Sequence, residues 1–177
     1  MNSLAKLCAI AAASALALTA CGGSDGDGDL RPTNEPGVLK VTEASLPGLD
    51  GVYGNGRLNL SSVEKANPIG SEPERCKFKF DGADRLGSNG TAFGDIRYRT
   101  NANVLYEAFL TFNGIEFAIS SVDGSGTSVV RDRDQVRFDN KLLTSTDGRR
   151  ATLRVNGIVT LLGGRPSGCS RRTALLH

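Results

Sequence analysis

Hydrophobic and polar residues alternate along much of this chain, which is the pattern of strands that bury one face. Between Cys76 and Phe80, apolar residues alternate with two lysines and predict a half-buried strand. Glycine-rich turn signals separate such stretches, and no long amphipathic helical pattern appears. The chain is therefore predicted to form a single all-β domain of about seven or eight strands, an antiparallel sandwich or small barrel built from hairpins.

The clearest hairpin signal is Asn113-Gly114, because a two-residue type I′ turn needs positive φ at both central positions. With this loop, apolar residues oppose each other on one face, in the pairs Phe112–Ile115, Leu110–Phe117 and Ala108–Ile119. Polar residues oppose each other on the other face, in the pairs Thr111–Glu116 and Glu107–Ser120. One register therefore sorts both strands into a buried and a solvated face.

Two further hairpins are predicted from their turn residues. A two-residue loop at Asp147-Gly148 gives the pairs Leu142–Leu153, Thr144–Ala151 and Val136–Val159, with Lys141 and Arg154 together on the outer face. A three-residue loop at Asn101-Ala102-Asn103 gives the pairs Tyr98–Tyr106, Ile96–Ala108 and Arg97–Glu107.

Three stretches leave the pattern less regular. Val52–Leu60 is predicted to be one strand, and Ser61–Ala66 one turn of helix. Phe93 and Phe109 have no obvious inward position. Two interpretations of these phenylalanines stay open: they mark a binding surface, or they fill the second face of a sandwich.

The first 20 residues follow a different pattern. Lys6 precedes an apolar run, Leu7–Leu18, which is too short to span a membrane comfortably and fits the core of a signal peptide. Leu18-Thr19-Ala20-Cys21 follows and resembles the lipobox of bacterial lipoproteins, in which small residues precede an obligatory cysteine. The resemblance implies cleavage before Cys21, a diacylglyceryl thioether on its thiol, and acylation of the new amine with fatty acids such as palmitate.

The same resemblance implies a location. A lipid-anchored protein of this kind lies in the bacterial cell envelope, and several acyl chains hold it stably in the membrane. Gly22 stands where an Asp often marks inner-membrane retention in enteric lipoproteins, so the outer membrane is implied. The predicted organisation is a signal peptide at 1–20, a lipidated cysteine with a tether at 21–45, a β-domain at 46–170 and a tail at 171–177.

Four cysteines bear on compartment and stability. Cys8 leaves with the signal peptide and Cys21 is consumed by lipid. Cys76 and Cys169 are left, and in an oxidising compartment such a pair is predicted to form a disulfide. No C-x-x-C spacing indicates a redox-active pair.

Charge adds little to this picture. The net charge is +2, and the chain from Arg149 onward carries six arginines and no acid. This basic end is either a solvated face or a surface that attracts anionic lipid or acidic polysaccharide. Nucleic acid is not an expected partner of an exported protein. The aspartates of Gly22–Asp29 are spaced like the start of an EF-hand loop. Counted from Asp25, however, the twelfth position is Pro36 rather than a glutamate, so no calcium site is predicted.

Catalysis is not indicated by the sequence. The one histidine, His177, is the last residue, which rules out histidine-based triads and disfavours histidine metal sites. The acid pairs Asp81/Asp84 and Asp132/Asp134 are interpreted as turn-formers. No catalytic residue, metal or cofactor is therefore predicted.

The function predicted is binding, by an envelope interaction module whose partner is an envelope protein or a polysaccharide. Two alternatives stay open. One is a lipocalin-like carrier of a small apolar ligand, similar in architecture only, and the other is a lipoprotein of the lysozyme-inhibitor type.

Overall fold

The computed structural model describes residues 34–67, 69–120 and 122–170. In this part of the chain there are eleven strands and no helix, so the predicted all-β class is confirmed. The strands are β1 (Val38–Thr42), β2 (Gly51–Tyr53), β3 (Asn59–Leu60), β4 (Glu64–Ala66), β5 (Arg75–Asp84), β6 (Thr91–Arg99), β7 (Leu105–Phe112), β8 (Ile115–Ser120), β9 (Thr127–Val130), β10 (Gln135–Ser145) and β11 (Thr152–Thr160). The signal peptide, Cys21, the Gly22–Asp29 stretch and the tail at 171–177 lie outside the described residues, and what was predicted of them stays a prediction.

The strands form one curled antiparallel sheet in the order β2-β1-β11-β10-β8-β7-β6-β5-β3, with β4 also paired to β5 and β9 to β10. The β2 end of this sheet meets the chain that follows β5, through a bridge between Tyr53 and Arg85. The Leu86 amide donates to the Val52 carbonyl beside it, at 2.8 Å. The sheet is therefore barrel-like. Alternation alone predicts fewer strands because β2, β3, β4 and β9 are only two to four residues long.

The inner face of the sheet is filled by side chains. The largest of those that are almost wholly buried include Tyr53, Tyr98, Phe78, Phe112 and Phe117. The Phe112 ring meets Tyr53 edge-on at a centroid distance of 5.1 Å and Phe117 at 6.2 Å. Burial of this apolar surface, at about 25 cal/mol per Å², is the main force that holds the sheet curled.

The predicted disulfide is present. Cys76 on β5 is bonded to Cys169, with their Cα atoms 5.7 Å apart, and both residues are fully buried. It joins the barrel wall to the segment that follows β11. The Tyr98 hydroxyl donates to the Cys169 carbonyl at 2.9 Å and helps to fix the same segment.

The β7–β8 hairpin forms in the predicted register. Asn113 and Gly114 have φ values of 50° and 79°, as the type I′ turn requires. All five predicted pairs are observed, including Leu110 opposite Phe117 on the inner face and Thr111 opposite Glu116 on the outer face.

The β10–β11 hairpin differs from the predicted one in its loop and in its register near the turn. The Ser145 amide donates to the Ala151 carbonyl, so the loop holds five residues rather than two and Leu143, not Leu142, pairs with Leu153. A bulge between Phe138 and Lys141 absorbs the extra residue, and the predicted pair Val136–Val159 is observed beyond it.

This bulge also reverses two side chains. Leu142 is 50% exposed, whereas Lys141 is buried and does not share the outer face with Arg154 as predicted. The Lys141 ammonium lies 2.7 Å from a carboxylate oxygen of Asp123, which compensates its buried charge. Arg154 instead pairs with Glu43 at 2.9 Å.

The β6–β7 hairpin is partly as predicted. The pairs Ile96–Ala108 and Arg97–Glu107 are observed. Tyr98, however, pairs with Leu105 instead of Tyr106, because the register shifts by one residue after Arg97. Leu105 therefore takes the buried position and Tyr106 is only half-buried.

Four further expectations were wrong. The predicted strand Val52–Leu60 is divided into β2 and β3, and the helical turn predicted at Ser61–Ala66 is replaced by strand β4. Strand β1 lies inside the predicted tether at 21–45, so the folded domain begins before residue 46. Asp81 and Asp84 lie within β5, where positive φ at Gly82 (73°) permits a bulge rather than a turn.

Candidate functional site

A groove of about 620 Å³ lies on the outer face of strands β5–β8. Such a volume is within the range of small-ligand sites. Outward residues of the four strands converge there because alternate side chains of a strand share one face. Its lining residues are Lys79, Phe80, Asp81, Phe93, Gly94, Asp95, Arg97, Phe109, Thr111 and Glu116.

Phe93 is the open aromatic surface of this groove. Its side chain is 46% exposed, and the structure records no aromatic or cationic partner for its ring among the described residues. The next residue, Gly94, lies against the core, where a Cβ would approach Phe80 and Leu110 to 2.6 and 2.8 Å. Strand β6 thus packs closely on the inner rings while it presents Phe93 outward.

Phe109, the second outward phenylalanine, is covered. The Arg97 guanidinium carbon lies 5.3 Å from the Phe109 ring centroid, in a cation–π contact. Arg97 is held there by Asp95 at 3.1 Å and Glu107 at 2.7 Å. The hydrogen bond that Arg97 donates to Asp95, together with the charges of Asp95 and Glu107, raises the pKa of Arg97 above its usual value. Of the two phenylalanines, Phe93 is therefore the more open to a ligand, whereas Phe109 is half-buried under Arg97.

Polar groups of both signs surround Phe93. Thr111 is its cross-strand neighbour on β7, and Glu116 stands opposite Thr111 on β8. Lys79 and Asp81 reach the groove from β5 and are exposed. Neither of these two makes an ion pair in the part of the chain that the structure describes. The groove therefore offers an ammonium and carboxylates around one apolar ring, whereas Thr111 is buried.

A second groove of about 330 Å³ adjoins the first and shares Lys79 and Asp95 with it. Its other lining residues are Ser61, Ser62, Glu64, Lys77 and Phe78, and Glu64 pairs with Lys77 at 3.1 Å. The two grooves together are called the outer-face track below. The track runs across β8, β7, β6, β5 and β4, which at about 4.8 Å between strands is about 19 Å.

The charges of the outer-face track nearly cancel. Its lining includes three cations, Lys77, Lys79 and Arg97, and four anions, Glu64, Asp81, Asp95 and Glu116. Within the described residues, no group of three or more His, Cys, Asp or Glu side chains is placed to hold a metal ion.

The basic end of the sequence does not form a site of its own. Three of its four described arginines pair with acids: Arg149 with Asp147 and Arg154 with Glu43, both at 2.9 Å, and Arg165 with Asp134. Asp134 lies in the turn before β10, as predicted for Asp132/Asp134, but its partner comes from another segment.

Sequence reasoning identified Phe93 and Phe109 but not the residues around them. The outward positions of Arg97 and of the Thr111–Glu116 pair followed from the hairpin registers. Lys79 and Asp95 were missed because their pairing across β5 and β6 depends on a loop with no diagnostic turn signal.

Comparison with models of protein families, with curated proteins and with solved structures finds no match to this chain. A function must therefore be argued from the residues themselves. No helix in the described residues is both long and apolar enough to cross a membrane.

Proposed function

We propose that this chain is a lipid-anchored lipoprotein of the bacterial envelope whose β-domain binds a partner without catalysing a reaction. The anchor is the cysteine of the Leu18–Cys21 lipobox, and the outer membrane is the proposed location. The binding surface is the outer-face track. Anchored at Cys21, the domain would present this track to other envelope components.

The exposure of Phe93 is the observation that carries the binding role. The chain has seven phenylalanines and three tyrosines, all in described residues, and only Phe93 is exposed. The other nine are buried in the core or partly covered. A single exposed phenylalanine is ordinary on a protein surface, but this one lies in a groove where charged side chains converge on an aromatic ring. Polar groups that converge beside an apolar surface are a feature of ligand sites.

The alternative of an apolar carrier has less support. A lipocalin-like carrier would hold its ligand inside the barrel, but large side chains such as Tyr98, Phe112 and Phe117 fill that space. A ligand there would have to displace close-packed atoms. No contact in the described domain favours the lysozyme-inhibitor alternative.

The anchor is tested by mass spectrometry of the protein extracted from membranes of a bacterial host. We expect an N-terminal peptide that begins at Cys21 and carries acyl chains. The matched variant Cys21→Ser should lose the acyl mass and leave the membrane fraction. A wild-type protein that starts at another residue, or that carries no fatty acid, would contradict the proposed anchor.

The binding surface is tested by photo-crosslinking in intact envelopes. A benzophenone amino acid is placed at position 93 and, as the control, at position 142, since Phe93 and Leu142 are exposed to 46% and 50% on different parts of the sheet. We expect a discrete adduct from position 93 and none from position 142. Equal adducts from both positions, or none from either, would overturn the proposed surface.

A further inference from the structure

We propose that the outer-face track binds a neutral, extended polysaccharide, with one sugar ring stacked on Phe93. This inference rests on the proposed function and names the chemistry of its partner. Three features of the track carry it: one flat aromatic platform, a set of separate hydrogen-bonding groups, and charges that nearly cancel over an elongated surface.

The platform fits a pyranose ring. The face of an aromatic ring carries negative partial charge, and the C–H groups on one face of a sugar ring carry positive partial charge. A sugar can therefore lie flat on Phe93, which is the one ring of the track without a covering group, since Arg97 already covers Phe109.

The polar groups of the outer-face track suit the hydroxyl groups of a sugar. A sugar hydroxyl both donates and accepts, so it pairs with carboxylates, ammonium groups and other hydroxyls alike. Asp81 and Lys79 are exposed and make no ion pair within the described residues, so they offer an acceptor and a donor near Phe93, whereas Thr111 beside them is buried. Ser62 adds a hydroxyl at the other end of the track, where the Ser61 hydroxyl already donates to the Ser62 carbonyl and accepts from the Lys79 amide.

The charge balance selects a neutral ligand. An anionic polymer would need an excess of cations, whereas the track has three cations against four anions, of which several already pair with one another. A protein partner would need a larger apolar centre. Among the residues that line the track, Phe93 is the only one that is large, apolar and exposed. The length of about 19 Å, from the spacing of five strands, extends beyond a single sugar ring.

The direct test is calorimetric titration of the purified processed protein in detergent micelles. The probes are three neutral hexasaccharides (the β-1,4-linked N-acetylglucosamine hexamer, cellohexaose and maltohexaose) and the anionic polymer polygalacturonate. We expect at least one neutral hexamer to bind, with a Kd that changes by less than about twofold when salt rises, because a neutral ligand has no charge to screen. Binding of none of the three, or preferred binding of polygalacturonate, overturns the inference.

Variants at position 93 separate stacking from general apolar contact. Phe93→Ala and Phe93→Leu should each weaken binding by about tenfold, because both remove the aromatic face. Phe93→Trp should retain it. The control Leu142→Ala, at an exposed apolar position outside the track, should leave Kd unchanged. Full binding by Phe93→Leu would overturn the stacking arrangement.

The photo-adduct at position 93 distinguishes this inference from the function on which it rests. An adduct whose added mass is removed by glycoside hydrolysis supports both. An adduct whose added mass resists glycoside hydrolysis and yields peptides of a second protein on digestion leaves the proposed binding surface standing and overturns the polysaccharide. The absence of any adduct overturns the surface itself.

Discussion

The two faces of strands β5–β8 carry the same kind of side chain in opposite environments. On the inner face, Phe80, Phe112 and Phe117 are at most 2% exposed. On the outer face, Phe109 lies under a guanidinium and Phe93 is 46% exposed. Inner rings stabilise the fold, whereas the outer ring at position 93 contributes little to it and remains available for contact. Changes on the two faces should therefore separate stability from binding.

The largest effect on stability is expected from removal of the disulfide between Cys76 and Cys169. Removal of the disulfide by Cys76→Ala with Cys169→Ala should lower the free energy of unfolding by about 4–5 kcal/mol, because the bond closes a loop of 93 residues and restricts the unfolded chain. Denaturant unfolding of the double variant and of the oxidised wild type measures this. An unchanged unfolding midpoint would contradict the structural role of the bond.

The matched pair Phe117→Ala and Phe93→Ala tests the comparison itself. The inner substitution should cost about 3–5 kcal/mol, since it leaves a cavity in a packed core. The outer substitution should change stability by less than about 0.5 kcal/mol. Equal losses in denaturant unfolding would show that Phe93 is part of the core and would remove the basis for a binding surface.

Lys141 is an exception to the apolar inner surface. Its ammonium lies 2.7 Å from both the carboxylate and the carbonyl oxygen of Asp123. Asp123→Asn should lower Tm, because it leaves a buried charge with weaker compensation, whereas Lys141→Met should be closer to neutral. Thermal unfolding of both variants measures the difference. A larger loss in Lys141→Met than in Asp123→Asn would contradict it.

The same pair gives a pH dependence. The hydrogen bond from Lys141, then that from Ser125, lowers the pKa of Asp123. A carboxyl whose pKa is lowered by folding stabilises the fold above its unfolded pKa, and this contribution is lost as pH falls through the folded value. The acid side of the Tm profile should therefore be flatter in Lys141→Met than in the wild type.

A smaller effect is expected at alkaline pH. Burial raises the pKa of Tyr98 from 10.0 to about 12. The stability that the neutral phenol contributes is complete below pH 10 and is lost as pH rises toward 12. Burial raises the pKa of Tyr53 as well, so absorbance titration should show two late-ionising tyrosines, of which Tyr98→Phe removes one. Ionisation of all three tyrosines in one step near pH 10 would contradict this burial.

Local signals predicted local structure well. The β7–β8 register followed from Asn113-Gly114 and strict alternation, because turn type and buried face agree there. In β10–β11 the same reasoning was wrong by one residue near the turn, since five loop residues replace two. A bulge before Lys141 then restores the register, and no sequence signal announces it.

The candidate site was only partly predictable. Alternation placed Phe93 outward, but the groups around it come from strands whose mutual register is set by core packing and by the bulge at Gly82. The approach of Lys79 to Asp95 depends on that register. Because the site is assembled from four strands, its composition follows from the fold and not from local sequence signals.

The most direct measurement is an NMR titration of the isotope-labelled processed protein with the neutral hexasaccharides. Shifts confined to Phe93, Thr111, Lys79 and their neighbours on the outer face of β5–β8 are the expected result. Shifts centred on inner-face residues such as Phe117, or on the far side of the sheet near Leu142, would contradict the outer-face track as the binding surface.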